Sequence, residues 1–314
     1  MSDFPAARRI DTGEVTLDVH EAGSGLPVVM CHGFPELAFS WRHQVTALAD
    51  AGFHAIAPNQ RGYAGSDCPE KVEDYDLAHL TGDLVGMLDA MGIEKAVFAG
   101  HDWGGFVAWA MPIAYPERCL GVIGVNTPYT AFPPTAMLRL AFPDPEKLYI
   151  LWFQEPGVAE PVLEANTRTL FEKMMRHASK PDVGSIAELG DANPFLRIAE
   201  LESFGTPMLS ESEIQTYVDA FTKSGFFGPV SWYRNIDRNS ELYPGIGTQK
   251  LDLPCLMVTA EWDAALPPAT ADGMPALCSD LERVDIVECG HWTQQEKPAE
   301  LNEAMISWLR KKFA

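Results

Sequence analysis

Short apolar runs alternate with amphipathic stretches through the first part of the chain. Residues 14–19 alternate polar and apolar side chains, a pattern that predicts a strand with one solvent-facing side. Continuously apolar runs predict strands that are buried on both faces, because helices cover both sides of a parallel sheet. These runs are Pro27–Cys31, His54–Pro58, Ala96–Ala99 and Leu120–Asn126.

Helices are predicted in the intervals between these strands. Trp41, Val45 and Leu48 recur at helical spacing, and Asp76 stands where it can cap the next apolar stripe. Pro112 falls inside the helix after the third apolar run, where its missing N–H removes one hydrogen bond or kinks the helix. Strands and helices in alternation predict a parallel sheet with right-handed crossovers.

The alternation stops after the fourth apolar run. The stretch that follows is rich in aromatic and methionine residues in amphipathic helical patterns, and it contains no clear strand. Two further strands are predicted at residues 254–259 and 284–287, followed by a last helix. We therefore predict an α/β core formed by residues 1–128 and 249–314, with a helical cap domain inserted at residues 129–248.

Composition and charge restrict the class of protein. The chain has 314 residues, 46% hydrophobic and 21% charged, as in ordinary soluble globular proteins. It has no apolar run of the ~18 residues that span a membrane, and its N-terminus lacks the features of a secretory signal. Six cysteines without CxxC spacing fit a reduced, cytoplasmic protein better than a disulfide framework or a zinc site. A formal net charge of −21 disfavours nucleic acid as a partner and favours a neutral substrate.

The segment Gly100-His101-Asp102-Trp103-Gly104-Gly105 links a predicted strand to a predicted helix. Small residues around such a turn are typical of a nucleophile elbow, which exposes one side chain above the sheet. That side chain is Asp102, a carboxylate already ionised at neutral pH and suited to displacement at a saturated carbon. The alternative interpretation is a turn aspartate that caps the following helix.

Hydrolysis of an ester on Asp102 requires a base and a residue that orients this base. His291 follows the last predicted strand and Asp263 follows the strand before it, so both stand at carboxyl ends of parallel strands. Glu261 is the rival acid, whereas Asn126, after an earlier strand, cannot serve as an acid. The chain order of nucleophile, acid and histidine is that of the α/β-hydrolase fold.

The backbone N–H groups of Phe34 and Trp103 are predicted to form an oxyanion hole, because Trp103 follows the nucleophile and Phe34 follows a His-Gly turn. Both residues are also predicted to bind substrate, and the Trp103 indole either lines the pocket or donates a hydrogen bond to the leaving group. We interpret His32 as a structural turn residue and His101 as a hydrogen-bonding partner of the site.

The leaving group distinguishes two kinds of reaction at an aspartate nucleophile. A halide departs as a stable anion, whereas an epoxide oxygen departs as an alkoxide and requires a proton donor. Tyrosine hydroxyls, with a reference pKa of about 10, can be that donor. The pattern alone does not distinguish among the tyrosines of the insertion, which are Tyr129, Tyr149, Tyr217, Tyr233 and Tyr243.

Motifs spread over nearly the whole chain resemble those of the soluble epoxide hydrolases of the α/β-hydrolase superfamily. The two more specific motifs lie in the insertion: Phe153-Gln154-Glu155-Pro156-Gly157 and Trp232-Tyr233-Arg234-Asn235. The others are His32-Gly33-Phe34-Pro35, Arg61-Gly62-Tyr63-Ala64-Gly65-Ser66, the elbow, Val258-Thr259-Ala260-Glu261-Trp262-Asp263 and Cys289-Gly290-His291-Trp292-Thr293-Gln294.

The resemblance implies an α/β-hydrolase fold, with a mostly parallel eight-stranded sheet flanked by helices and an inserted helical cap. It implies Tyr149 and Tyr233 as the ring-opening pair, Asp102 as the nucleophile, and Asp263 with His291 as the charge-relay pair. The implied reaction converts a neutral, lipophilic epoxide and water to a vicinal diol and requires neither a metal nor an organic cofactor.

Two alternatives stand beside an epoxide hydrolase. Haloalkane dehalogenases share the elbow and the first motif, but they typically carry an asparagine where this chain has Phe34. A catalytically silent binding protein of the same fold usually lacks a member of the catalytic set, and every member is present here. The resemblance also implies a cis peptide bond between Phe34 and Pro35. The sequence does not predict the oligomeric state.

Overall fold

A computed structural model describes residues 4–180 and 193–313, and an eight-stranded sheet forms the centre of this part of the chain. The strands are β1 (Arg8–Asp11), β2 (Thr16–Gly23), β3 (Pro27–Cys31), β4 (His54–Asn59), β5 (Ala96–His101), β6 (Cys119–Val125), β7 (Arg176–His177), β8 (Thr206–Pro207), β9 (Leu251–Ala260) and β10 (Cys278–Ile286). All but β7 and β8 belong to the large sheet.

The large sheet has the order β1-β2-β4-β3-β5-β6-β9-β10. Its first strands pair antiparallel, β1 with β2 and β2 with β4, and the strands from β4 to β10 pair in parallel. The predicted mostly parallel, eight-stranded α/β sheet is therefore confirmed. The sequence pattern does not predict β1, because its Arg8, Arg9 and Asp11 are exposed and give no apolar alternation.

The helices of the described residues are α1 (Arg42–Asp50), α2 (Leu77–Ala90), α3 (Trp103–Ala114), α4 (Thr135–Ala141), α5 (Tyr149–Trp152), α6 (Glu160–Ala165), α7 (Thr167–Met174), α8 (Glu211–Ser224), α9 (Phe227–Arg234), α10 (Ile236–Leu242), α11 (Thr293–Glu296) and α12 (Pro298–Phe313). Of these, α1, α2, α3 and α12 cover the two faces of the large sheet. Alternate residues of β3 point to opposite faces, so Val28 and Met30 join the apolar core under α1 and α12. Val29 and Cys31 join the core under α2 and α3, which continues into the region predicted as the cap.

Two expectations for the inserted region are wrong in detail. The region contains a short antiparallel pair, β7 with β8, although the sequence predicts no strand there. Each of these strands has two residues, which is too short to produce a period-2 pattern. The spacing of Leu163, Leu170 and Met174-Met175 predicts one helix, but the structure has two, α6 and α7, because the chain leaves helical geometry at Asn166.

A buried ion pair lies where the inserted region meets the core. Arg61 donates two hydrogen bonds to the Asp83 carboxylate, at 2.7 and 2.6 Å, and both side chains are almost fully buried. The Trp232 indole of α9 in turn donates to the Arg61 carbonyl oxygen at 3.3 Å. The pair therefore joins α2 to the loop on which α9 packs.

Removal of the Asp83 carboxylate is expected to destabilise the protein strongly. An Asp83→Ala variant leaves the Arg61 guanidinium buried beside fewer acceptors, and a broken buried pair costs about 3–5 kcal/mol of unfolding free energy. Urea denaturation monitored by circular dichroism measures the difference. Asp89→Ala is the matched control, because Asp89 is 63% exposed in its pair with Arg118 and should contribute at most about 1 kcal/mol. Equal, small losses in both variants would contradict the prediction.

Candidate active site

The elbow stands between β5 and α3. Asp102 has φ +50° and ψ −124°, a strained conformation for a residue with a side chain. The chain passes itself closely here, because a Cβ atom on Gly104 would collide with the Cys31 carbonyl oxygen and one on Gly100 with that of Gly104. The glycines are therefore required by the tight turn that carries Asp102.

The Asp102 carboxylate faces the loop after β3. Within the described residues its side chain makes no capping hydrogen bond to α3, so the helix-cap interpretation is not supported. Instead Asp102 Oδ1 accepts a hydrogen bond from the Phe34 backbone N–H at 2.8 Å. The Phe34–Pro35 peptide bond is cis, as the family resemblance implied. One predicted oxyanion donor therefore points at the carboxylate that would carry the ester.

His291 and Asp263 stand beside this carboxylate. His291 Nδ1 donates to Asp263 Oδ2 at 2.9 Å, and His291 Nε2 lies 3.9 Å from Asp102 Oδ2. The structure thus brings together the three residues that the sequence predicts as nucleophile, acid and base. The rival acid, Glu261, is turned elsewhere and accepts a hydrogen bond from the Glu288 backbone N–H.

Asp263 is held in its ionised form. Its Oδ1 accepts from the backbone N–H groups of Ala265 and Leu266, each at 2.9 Å, and its Oδ2 accepts from the Asn126 amide at 2.6 Å. Burial opposes ionisation, but the His291 ring and these donors lower the pKa of Asp263 to about 2. Asn126, discounted above as an acid, therefore serves as a donor to the acid.

The His291 ring is basic in this environment. Burial by itself lowers the pKa of His291, but nearby carboxylates, first that of Asp263 and then that of Asp102, raise it to about 9. Because Nδ1 donates to Asp263, Nε2 is the nitrogen that can accept a proton next to Asp102.

A second buried acid–histidine pair supports the site, and sequence reasoning did not find its acid. Glu36 Oε2 lies 2.7 Å from His101 Nδ1 and accepts from the Gly33 backbone N–H at 3.1 Å. His101 Nε2 donates to the His291 carbonyl oxygen at 2.7 Å, and Gln294 donates to Glu36 at 2.5 Å. This network links the Phe34 loop, the elbow and the His291 loop. The only sequence signal for it is an acidic residue directly after the His32-Gly33-Phe34-Pro35 turn.

Tyr149 and Tyr233 enter the same region from the insertion. Their rings lie 5.7 Å apart, and the Tyr233 ring contacts those of Trp103 and Phe34 at 5.0 and 5.5 Å. Burial, followed by the Asp102 charge, raises the pKa of Tyr149, and burial is also the main cause of the raised pKa of Tyr233. Both phenols therefore keep their protons at neutral pH and can donate them.

The other tyrosines of the insertion are engaged elsewhere. The Tyr129 hydroxyl donates to the carbonyl oxygens of Gly245 and Gln249, and the Tyr217 hydroxyl donates to the Gln295 side chain. Among the described residues, Tyr149 and Tyr233 are thus the insertion tyrosines whose rings contact each other beside Trp103.

Hydrogen bonds connect the two specific motifs of the insertion to each other. Gln154 donates to the Tyr233 carbonyl oxygen at 3.0 Å, and Arg234 donates to the Phe153 carbonyl oxygen at 2.9 Å. Arg234 also pairs with the buried Glu160 carboxylate at 2.7 Å. These crossed hydrogen bonds hold the segments that carry the two phenols in fixed relation. Neither Gln154 nor Arg234 was predicted as a positioning residue.

Aromatic rings surround the space between the carboxylate and the phenols. The Phe34 ring lies 5.5 Å from that of Phe153 and 5.7 Å from that of Phe195. Phe132 stacks on Trp103 at 4.9 Å. Such a lining suits an apolar, uncharged ligand. Within residues 4–180 and 193–313, no helix combines the length and apolarity needed to cross a membrane, and no three His, Cys, Asp or Glu side chains are grouped to hold a metal ion.

Comparisons with known proteins agree on one family. A family profile described as alpha/beta hydrolase fold matches residues 27–298. Epoxide hydrolase A of Mycobacterium tuberculosis is 40% identical, and the match covers 97% of each chain. Bifunctional epoxide hydrolase 2 of Sus scrofa is 43% identical over 94% of this chain, which spans 53% of that longer protein. The crystal structure of epoxide hydrolase A from Mycobacterium thermoresistibile superposes with a TM-score of 0.87, at 40% identity and 98% coverage of both chains.

Proposed function

The chain belongs to the epoxide hydrolase family of the α/β-hydrolase fold, and from this premise we propose that it converts a neutral, lipophilic epoxide to a vicinal diol. The observation that carries the proposal is the half-buried elbow carboxylate of Asp102 beside the paired rings of Tyr149 and Tyr233, whose phenols have raised pKa values. A dehalogenase needs no such phenols, because a halide leaves without a proton. We further propose that residues 129–248 act as a cap domain and that the protein is cytoplasmic.

In the first step, Tyr149 and Tyr233 hold the epoxide oxygen by hydrogen bonds. Asp102 attacks one ring carbon, the carbon–oxygen bond of the ring breaks, and a phenolic proton passes to the departing oxygen. The product is a hydroxyalkyl ester on Asp102 and a tyrosinate. The acidity of a phenol, with a reference pKa of about 10, makes it a competent donor to an alkoxide.

In the second step, His291 takes a proton from water while the water oxygen attacks the carboxyl carbon of Asp102. The backbone N–H groups of Phe34 and Trp103 stabilise the developing oxyanion. The bond between this carbon and the alkyl oxygen breaks, the proton on His291 passes to that oxygen, and the diol leaves. The proton remaining from water restores the tyrosine.

Isotope transfer from water tests the covalent route. A single turnover of styrene oxide with enzyme in excess, in ¹⁸O-water, should give diol without label and Asp102 with label in its carboxylate. Mass spectrometry of the diol and of the peptide containing Asp102 measures both. Label in the first diol would contradict the ester mechanism. Release of halide from a chloroalkane, without diol from styrene oxide, would support a dehalogenase instead.

Removal of both phenolic hydroxyls is expected to abolish ring opening. A Tyr149→Phe, Tyr233→Phe double variant keeps the aromatic packing but has no proton for the alkoxide, so we expect ester formation to slow by at least about 10³-fold. Rapid-quench mass spectrometry of the enzyme measures ester formation. Tyr129→Phe and Tyr217→Phe together form the control, because those hydroxyls are bound elsewhere. Comparable activity in both double variants would contradict the assignment.

Ester hydrolysis is expected to accelerate as the pH rises. The base must be neutral, and a pKa of about 9 leaves His291 largely protonated at neutral pH in the free enzyme. Ester formation neutralises Asp102, one of the charges that raise this pKa, so the pKa of His291 should be lower in the ester. The rate of ester hydrolysis should therefore increase with pH, with a midpoint below about 9. A pH jump applied to preformed ester, followed by quenched mass spectrometry, measures the profile. A rate that is constant from about pH 6 to about pH 9 would contradict the role of His291.

A further inference from the structure

The short helix α11 begins two residues after His291, and each of its four polar side chains is buried. Its first two side chains, those of Thr293 and Gln294, donate hydrogen bonds to buried groups of the core. Its last two, those of Gln295 and Glu296, accept hydrogen bonds from the insertion. The segment directly after the proposed base therefore joins the core to the insertion.

The Glu296 carboxylate holds the backbone on both sides of His291. Its Oε2 accepts a hydrogen bond from the Gly290 N–H at 3.1 Å, and its Oε1 accepts one from the Trp292 N–H at 3.1 Å. Gly290 directly precedes His291 and Trp292 directly follows it. Because one carboxylate binds both neighbours, it restricts the direction in which the imidazole leaves the backbone.

The same carboxylate contacts the insertion. Glu296 Oε2 also accepts a hydrogen bond from the Ala178 N–H at 3.3 Å, and the Trp292 indole donates one to the Met174 carbonyl oxygen at 2.6 Å. These two bonds hold the two ends of residues 174–178, which we call the docking segment. The docking segment is thus fastened to the residues that flank the proposed base.

A carboxylate at this position is costly to bury. The Glu296 side chain is almost fully buried, and among the described residues its ion-pair partner is His177, which lies 4.0 Å away and is 43% exposed. A buried charge without a close counter-charge is unfavourable unless hydrogen bonds compensate it. Three main-chain N–H groups do so here, and a glutamine could not replace the carboxylate, because its amide has only one acceptor atom.

We propose that Glu296 is a positioning residue for His291 and that it couples this base to the docking segment. The inference rests on the proposed function. In ester hydrolysis the water oxygen bonds to the carboxyl carbon of Asp102, one water proton moves to His291 Nε2 and then to the alkyl oxygen, and the bond between carbon and alkyl oxygen breaks. Ring opening uses Asp102 and the two phenols and does not require His291. Loss of the Glu296 contacts should therefore slow only the second step.

A Glu296→Gln variant tests this separation of the two steps. A base displaced by about 1 Å can lose up to about 100-fold in rate, so we expect ester hydrolysis to slow by about 10–100-fold and ester formation to keep its rate. Rapid-quench intact mass spectrometry of the full-length protein with styrene oxide measures both rates, and the ester should accumulate. Trp292→Phe is the second variant. It keeps the carboxylate but loses the indole bond to Met174, and it should slow hydrolysis in the same direction.

The pH profile of ester hydrolysis distinguishes positioning from an effect of charge. The carboxylates that raise the pKa of His291 are those of Asp263, Asp102 and Glu36. In Glu296→Gln the maximal rate should therefore fall while the midpoint of the profile stays in place. A lower midpoint with an unchanged maximal rate would mean that Glu296 acts through its charge, and it would overturn the inference.

Asp76→Asn is the matched control. Asp76 is also a buried carboxylate that joins the core to the insertion, since it accepts hydrogen bonds from the His79 N–H at 3.0 Å and from Arg238 at 2.7 Å. These partners belong to α2 and α10, so the ratio of the two rates should be unchanged. Urea denaturation shows whether each variant is folded.

Two further results would overturn the inference without affecting the proposed function. Hydrolysis at the unmodified rate in Glu296→Gln would exclude a positioning role. Equal slowing of ester formation and hydrolysis would indicate a general effect on the structure. Failure of the unmodified protein to form any ester would contradict the proposed function itself, so the two failures are distinguishable.

Discussion

A His291→Gln variant is expected to accumulate the ester on Asp102 and to lose kcat by about 10²–10⁴-fold. Asp102 and the two phenols remain in place, so ring opening proceeds. Glutamine can occupy part of the space of the ring, but it cannot take a proton from water. The intact mass of the variant should therefore increase by the mass of one epoxide, and digestion should locate the added mass on the elbow peptide.

The outcome for His291 can be compared with that for a histidine outside the site. His177 is 43% exposed in β7, and a His177→Gln variant should turn over normally without added mass. An unmodified mass for His291→Gln after incubation with styrene oxide would mean that His291 acts before the ester forms. Full turnover by this variant would remove His291 from the mechanism altogether.

An Asp102→Asn variant is expected to lose at least about 10⁴-fold in kcat/KM and to acquire no added mass. The amide oxygen can still accept the hydrogen bond from the Phe34 N–H, so the elbow geometry is preserved, but a neutral amide is a poor nucleophile at carbon. Initial rates of diol formation and the intact mass after incubation measure the two effects.

An exposed aspartate provides the control for this change of charge. Asp252 stands at the start of β9, at the end of the strand opposite to Asp263, and Asp252→Asn should leave activity unchanged. Substantial diol formation by Asp102→Asn would show that water attacks the epoxide directly. The proposed ester would then be excluded, although the family membership of the chain would stand.

Much of the fold follows from local sequence pattern. The continuous apolar runs that become β3, β4, β5 and β6 are recognisable because both of their faces are buried. The edge strands are less recognisable. β10 begins at Cys278, six residues before the predicted start at residue 284. The sequence pattern misses these first residues because they alternate irregularly between buried and exposed positions. Pattern identifies the interior of a sheet more readily than its edges, where one neighbour is solvent.

Some residues of the candidate site could likewise be predicted from local sequence, and others could not. Asp102, Asp263 and His291 could be predicted because each follows a strand, and parallel strands bring their carboxyl ends together. Glu36 could not be identified as a partner of His101, since the two residues are far apart in the chain and only packing joins them. The choice of Tyr149 and Tyr233 depended on family resemblance, because the sequence around the five tyrosines of the insertion does not indicate where each side chain points.

The crossed hydrogen bonds between Gln154 and the Tyr233 backbone, and between Arg234 and the Phe153 backbone, bear on how new substrates can be accommodated. These hydrogen bonds hold the segments of the two phenols through main-chain atoms, so aromatic side chains near the phenols can be exchanged without moving them. Libraries that vary Phe132 and Phe195 and retain Gln154 and Arg234 should therefore yield catalysts with altered enantiomer preference and unimpaired ring opening.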